Sequence, residues 1–209
     1  MIRIFIADDH PIVRQGLRRI VAADPGLVVA GEAGAAEELL AALDRTVTDL
    51  VLLDVSMPGG PFLDTLQRLR AKHPTVRVLV LSVHPEDQWA VRALRAGASG
   101  YLTKDHSPEQ LLEAIRRVYR GGKYVSPTLA EHMAQQLDAG ERAPHELLSD
   151  REFEVMRRLG SGLTVSQIAT ELELSAKTVS TYRTRILEKM HVETNAELVR
   201  YAARYGLIG

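Results

Sequence analysis

Ten residues constrain this chain more than any others: Leu50, Val51, Leu52, Leu53, Asp54, Val55, Ser56, Met57, Pro58 and Gly59. Four apolar residues in a row, closed by turn residues, read as a strand buried on both faces, as in a parallel sheet covered by helices. Asp54 ends that strand. A carboxylate is a poor strand former and is costly to bury without partners, and Pro58 and Gly59 turn the chain at once. In open α/β sheets, ligands bind beyond the carboxyl ends of the strands, so Asp54 is expected at the mouth of a site.

A second strand ends in the same chemistry. Residues 2–7, IRIFIA, run straight into Asp8 and Asp9. Three carboxylates converging at strand ends repel and raise one another's pKa unless a cation joins them. A hard divalent ion fits that demand, and Mg2+ uses one or two carboxylates together with waters and substrate phosphate.

Strand and helix patterns alternate through residue 122. Strands are expected over 3–7, 27–31, 50–54, 76–81 and 100–102, and helices over 11–23, 35–43, 62–73, 86–96 and 108–120. Ser107, Pro108 and Gln110 supply a helix start: an N-cap, a proline in the first turn and a capping-box partner. Five βα units imply a parallel sheet with helices on both faces. Gly121 and Gly122 stop the last helix. Residues 123–146 show weaker periodicity, with a short helix expected over 129–137, and read as a linker.

From Ser149 the periodicity is helical only. Ser149 with Glu152, Thr164 with Gln167 and Thr194 with Glu197 match the capping box, and Ser175 is a further N-cap candidate. Four helices follow, their inward sides Phe153, Val155, Met156, Leu159; Ile168, Ala169, Leu172; Val179, Tyr182, Ile186, Met190; and Leu198, Val199, Ala202. Only Glu173, Leu174 and Ser175 separate the second and third, which is a helix-turn-helix spacing. The whole chain carries a net charge of -1, but residues 175–190 hold Lys177, Arg183, Arg185 and Lys189 against Glu188. At 100° per residue, Lys177, Thr181, Thr184, Arg185 and Glu188 fall opposite the apolar stripe, with Ser180 at its edge. Lys, Ser, Thr and Arg on an exposed helix face suit phosphates and base edges. Arg183 falls nearer the apolar side and reaches a phosphate only by snorkelling.

Composition excludes several classes. The 209 residues contain no Cys, which rules out disulfides and thiolate metal sites. No apolar run approaches the roughly 18 residues of a membrane span. The chain enters a strand directly, with no export signal, and a cytoplasmic location is expected. The seven His residues show no metal spacing. His10 and His84 lie near the acidic residues, where a structural or modulatory role is expected rather than ligation.

The chain as a whole resembles a two-component response regulator of the NarL/FixJ type. The resemblance spans both halves and rests on Ala7-Asp8-Asp9-His10-Pro11, Leu53-Asp54 with Met57-Pro58-Gly59, Leu81-Ser82, Gly100-Tyr101-Leu102-Thr103-Lys104, Leu148-Ser149-Asp150-Arg151-Glu152 and Lys177-Thr178-Val179-Ser180-Thr181-Tyr182. It implies a five-stranded, doubly wound, flavodoxin-like receiver over 1–122, a linker over 123–146 and a LuxR-type helix-turn-helix domain over 147–209. It implies that Asp54 takes a phosphoryl group from a sensor histidine kinase. Asp8, Asp9, Asp54 and the backbone carbonyl of Ser56 would hold Mg2+. Lys104 and Ser82 would contact the phosphate, and Tyr101 would report it. Lys177, Thr178, Ser180, Thr181, Arg183, Thr184 and Arg185 would meet double-stranded DNA, with the active form a homodimer and no membrane involved.

Two departures from the commonest receiver pattern stand out. Val83 follows Ser82 where many receivers carry a small residue, which narrows the expected access. Gly60-Pro61-Phe62 replaces the usual acidic-Gly stretch, so the loop after Asp54 is expected to differ in shape. Two other readings remain: an atypical regulator that binds DNA without phosphorylation, and an Asp-nucleophile phosphatase. The phosphatase needs a general acid two residues after the nucleophile, and that position is Ser56.

Overall fold

A computed structural model of the chain describes residues 1–83, 86–127, 129–131 and 143–208. Two compact units emerge, Met1–Met133 and Ala134–Gly209.

The first unit is built on five parallel strands: β1 (Ile2–Ala7), β2 (Leu27–Ala33), β3 (Leu50–Asp54), β4 (Arg77–Ser82) and β5 (Gly100–Thr103), in the order β2-β1-β3-β4-β5. Helices α1 (Pro11–Ala22), α2 (Ala36–Leu43), α3 (Phe62–Lys72), α4 (Glu86–Arg95) and α5 (Pro108–Tyr119) alternate with them. Every residue of β3 is buried, as the unbroken apolar run predicts for a central parallel strand. Pleating divides the side chains between two faces. Ile4, Ile6, Leu50, Leu52, Leu79, Leu81 and Leu102 share one core with Leu17 and Val21 of α1 and Leu111, Ala114, Ile115 and Val118 of α5. Right-handed crossovers then put α2, α3 and α4 on the opposite face. The chain leaves β1 for β2 in one direction and β3 for β4 in the other, so the crevice between the ends of β1 and β3 is the topological switch point.

The observed elements differ from the expected ones by a residue or two at their ends, as fraying and twist produce. One difference has a larger cause. Residues 123–127 were expected to start a linker, yet Tyr124 bridges to Gly100 on the edge strand β5. Its N–H donates to the Ser99 carbonyl at 3.1 Å, and its carbonyl accepts the Tyr101 N–H at 3.0 Å. A Cβ on Gly100 would lie 2.8 Å from the Tyr124 carbonyl oxygen, so glycine is what lets this segment close on the strand. Residues 129–131 are helical. The rest of the helix expected over 129–137 lies outside the described residues.

The second unit contains a 3-10 turn (Pro144–Leu147) and four helices among its described residues: α6 (Asp150–Gly160), α7 (Val165–Glu171), α8 (Ala176–Met190) and α9 (Asn195–Arg204). The capping boxes at Ser149 and Thr164 both form, as does the one at Ser107 in the first unit. Ser175 caps α8 through the Thr178 N–H at 3.0 Å. At α9 only half of the expected box forms. Thr194 accepts the Glu197 N–H, but the Glu197 carboxylate turns to the Glu193 N–H, at 2.8 Å. The turn between α7 and α8 runs through Glu173 at φ 54. Phe153, Val155, Met156, Ile168, Val179, Ile186, Leu198 and Ala202 are buried, whereas Tyr182 and Val199 are half-buried.

Candidate functional site

β1 and β3 end side by side and deliver their carboxylates to one crevice. Asp8 and Asp54 are 1% and 2% exposed, and Asp9 is half-buried. β5 feeds Lys104 into the same place, because the Lys104 N–H bonds the Ser82 carbonyl at 2.7 Å and ties the end of β5 to that of β4. Lys104 Nζ stands 2.7 Å from Asp8 Oδ2 and 3.0 Å from Asp54 Oδ1. This ammonium is the cation that the converging carboxylates require.

Hydrogen bonds set the pose of Asp8. Its Oδ1 accepts the His10 N–H at 2.9 Å, and its carbonyl accepts the Arg14 guanidinium at 2.6 Å. His10 Nδ1 lies 2.6 Å from Asp9 Oδ1. Ser82 and Tyr101 are fully buried. Ser56 is exposed in the turn after β3, and Val83 is 68% exposed beside Ser82. His84 lies outside the described residues. Pro61 precedes α3 in extended backbone and gives that helix no side-chain cap.

Burial pushes the Asp54 carboxyl above the usual carboxylate range. The Lys104 ammonium works against that shift, and the like charge of Asp8 adds to it. For Lys104 burial acts downward, yet its pairing with Asp8 and Asp54 outweighs burial and raises its pKa. Lys104 therefore stays charged across the whole working range. A buried carboxylate with an ammonium 3.0 Å away has the chemistry a carboxylate nucleophile needs, with a charge in place to hold an anionic product.

The donor set also fits a hard divalent ion. Asp8 Oδ2 and Asp54 Oδ1 face the Lys104 ammonium and Asp9 Oδ1 faces the His10 ring, and ionised carboxylate oxygens keep lone pairs for a hard cation beside such partners. One donor atom each from Asp8, Asp9, His10 and Asp54 lies within 4.8 Å of all the others. The three carboxylates were legible in sequence. Inclusion of His10 was not, since only the fold shows its ring turning back towards Asp9.

In the second unit, α8 presents a polar face. Lys177, Ser180, Thr181, Thr184 and Arg185 are exposed. Thr181 and Thr184 donate their hydroxyls to the carbonyls of Lys177 and Ser180, at 3.0 and 3.2 Å, and each hydroxyl oxygen keeps its acceptor capacity. Three neighbours are engaged elsewhere. Arg183 is half-buried and donates to Asn195 Oδ1 at 2.8 Å, Thr178 is half-buried against the Ser175 cap, and Lys189 pairs with the buried Glu152 at 2.6 Å. Of these, only the Lys189–Glu152 pair offsets part of the helix's positive charge.

Comparison with known proteins agrees with this division. The response regulator receiver domain matches residues 4–116, and the luxR family of bacterial regulatory proteins matches residues 146–202. The response regulator GacA of Pseudomonas viridiflava is 38% identical over 210 residues, covering 100% of this chain and 98% of its own. The response regulator UvrY of Escherichia coli strain K12 is 36% identical, covering 99% and 96%. The chain belongs to the NarL/FixJ response regulators. Among solved structures, RcsB from Salmonella enterica serovar Typhimurium, bound to promoter rprA in the presence of phosphomimetic BeF3-, matches this regulator at TM-score 0.66 and 26% identity, covering 97% of this chain and 99% of that one. The regulator is thus a receiver joined to a helix-turn-helix unit, a DNA-binding member of a two-component system. No helix among its described residues is long and apolar enough to cross a membrane.

Proposed function

We propose that Asp54 accepts a phosphoryl group from the phosphohistidine of a sensor kinase, and that this event controls how the regulator engages double-stranded DNA. The observation that carries the reading is the Lys104 ammonium, set between Asp54 and Asp8 in a buried crevice. A carboxylate oxygen of Asp54 forms the new P–O bond as the donor's P–N bond breaks, and the departing imidazole keeps its proton. Lys104 shifts from paired carboxylate to phosphoryl oxygen as a point charge, and the buried Ser82 hydroxyl donates to another. Asp8, Asp9, Asp54 and the Ser56 carbonyl would hold Mg2+, which supplies compensation for the charge on the phosphoryl group. The buried Tyr101 ring then carries the phosphorylated state towards the surface beside it.

In the second unit, Lys177 and Arg185 take phosphates, while Ser180, Thr181 and Thr184 read base edges. Arg183 and Thr178 serve mainly to brace the helix, through Asn195 and Ser175. A single helix-turn-helix unit reads few base pairs, so paired half-sites and a homodimer are expected. The structure of two RcsB dimers on two parallel DNAs supports that arrangement. A regulator that acts on promoter DNA is expected in the cytoplasm.

Two experiments test these assignments. Acetyl phosphate with Mg2+ adds one phosphoryl group to the wild type and none to Asp54→Asn, read by mass spectrometry of the intact chain; equal labelling of the two would remove Asp54 from the chemistry. Lys177→Ala and Arg185→Ala each weaken binding to all DNA sequences and lower the salt slope by about one. An unchanged slope in both would show that α8 does not lie against phosphates.

A further inference from the structure

We propose that Arg70, Arg77 and Lys123 form a binding site for linear polyphosphate chains, at the end of the receiver sheet opposite the acidic crevice. Three elements bring the cations together. Arg70 lies in the last turn of α3, Arg77 opens β4, and Lys123 follows α5. Contacts with the main chain fix them to one place. Arg70 lies over Gly97, where a Cβ would stand 3.0 Å from Arg70 Cγ and 3.3 Å from its Nε. Lys123 Nζ donates to the carbonyl of Ala98, the next residue along. Arg77 precedes Val78, whose carbonyl accepts the Ser99 N–H at 2.7 Å. Its guanidinium reaches over Gly121, where a Cβ would stand 3.8 Å from Nη2. Residues 97–99 and 121–123 thus form a floor beneath two guanidinium groups and one ammonium.

No anion of the protein answers this charge. Arg70 Nη1 donates to the Val76 carbonyl at 2.7 Å, and Lys123 to Ala98. Among the described residues no carboxylate pairs with Arg70, Arg77 or Lys123, whereas Arg3 pairs with Asp49 and Arg68 with Glu37. Burial and the like charges of Arg70 and Arg77 lower the Lys123 pKa, so the three cations disfavour one another where they stand. Carbonyl partners are neutral and leave that repulsion in place. They also occupy few donors, since an ammonium has three and a guanidinium five. The side chains are held in position while most of their N–H groups remain for a ligand. Arg then offers paired bonds to a phosphate group and Lys a point charge. Cations from three separate elements suit several linked phosphate groups better than a single one. A bound chain would also act on the segment after α5, because Lys123 precedes Tyr124, whose carbonyl accepts the Tyr101 N–H at 3.0 Å.

Calorimetric titration of the full-length protein tests this, with sodium tripolyphosphate, ATP and sodium sulfate as probes. Magnesium-free buffer keeps the acidic crevice from holding phosphate through a metal. Tripolyphosphate and ATP are expected to bind alike, and sulfate about tenfold or more weaker, since a single anion forgoes at least one charge-assisted bond. Arg77→Gln and Lys123→Gln are each expected to lose about tenfold or more in tripolyphosphate affinity, for the same reason. Arg200→Gln, an equal change of charge on an exposed residue of the second unit, is expected to bind as wild type does. Tripolyphosphate is also expected to raise the melting temperature of wild type and not that of Arg77→Gln. Arg77 makes no side-chain bond among the described residues, so Arg77→Gln decides the case even if Lys123→Gln fails to fold. Equal tripolyphosphate affinity in wild type and Arg77→Gln would overturn the proposal, as would sulfate binding as tightly as tripolyphosphate. Binding of ATP without binding of tripolyphosphate would overturn it too, by placing recognition on the nucleoside.

Discussion

Lys104→Met loses about 3–5 kcal/mol of stability at neutral pH in the absence of divalent cations, measured by chemical denaturation. Removing one partner of a buried ion pair leaves an uncompensated charge, and that is the expensive outcome. Here two carboxylates, 1% and 2% exposed, are left facing one another. The loss depends on pH with a definite sign. Burial already holds Asp54 above the usual carboxylate range, and loss of the ammonium raises it further. A group whose folded-state pKa is raised favours the fold while protonated, and that contribution disappears as pH climbs through the folded pKa. The variant therefore regains stability on acidification towards the ordinary carboxylate range. Millimolar Mg2+ also restores part of the loss, by mass action on the folded state. A variant as stable as wild type at neutral pH without metal would mean that Asp8 and Asp54 are not both ionised in the resting protein.

Glu152→Ala has the second large effect, in the other unit. Glu152 is 3% exposed and serves two partners: its Oε2 accepts the Ser149 N–H at 2.7 Å and pairs with Lys189 at 2.6 Å. Burial acts against its ionised form, but Lys189 and Ser149 outweigh burial and hold its pKa below the usual Glu range. The substitution removes a cap, worth about 1 kcal/mol, and a charge-assisted bond, worth about 1.5–3 kcal/mol. A loss of about 2–4 kcal/mol in the stability of the helix-turn-helix unit is expected. Its pH sign is opposite to that at Lys104. A depressed carboxylate stabilises above its unfolded pKa and stops doing so as pH falls through the folded value. Acid therefore loosens the wild-type helix-turn-helix unit more than it loosens Glu152→Ala. Melting curves of the two proteins at neutral and acidic pH check this, and parallel losses in both would contradict it.

These residues also show what the sequence discloses. Asp54, Asp8 and Asp9 were legible because each ends a strand whose apolar run has one reading, and parallel strand ends collect at one edge. The caps at Ser107, Ser149, Thr164 and Ser175 were legible because a cap is a contact between residues three apart. Long-range pairings left no such mark. Lys189 counted towards the net positive charge of residues 175–190, yet it pairs with Glu152, 37 residues away. Arg183 turned out to be engaged by Asn195. The bridge from Tyr124 to Gly100 was invisible for the same reason, since one residue of edge pairing has no periodicity to detect. Helical phase did separate Lys177 and Arg185 from Arg183, because exposure along a single helix follows a 3.6-residue period.

In the proposed function, phosphorylation of Asp54 controls DNA binding. Turning a mostly inactive population into a mostly active one takes about 3–5 kcal/mol of differential stabilisation. Charge-assisted bonds from Lys104 and Ser82 to a phosphoryl group are of that order when combined. The most direct measurement is operator affinity and sedimentation of wild type and Asp54→Asn, each with and without acetyl phosphate and Mg2+. Wild type is expected to gain operator affinity and mass on phosphorylation, while Asp54→Asn shows neither change. Identical affinity and identical mass distribution of the wild type in both states would contradict the account and leave a regulator that binds DNA without regard to its receiver.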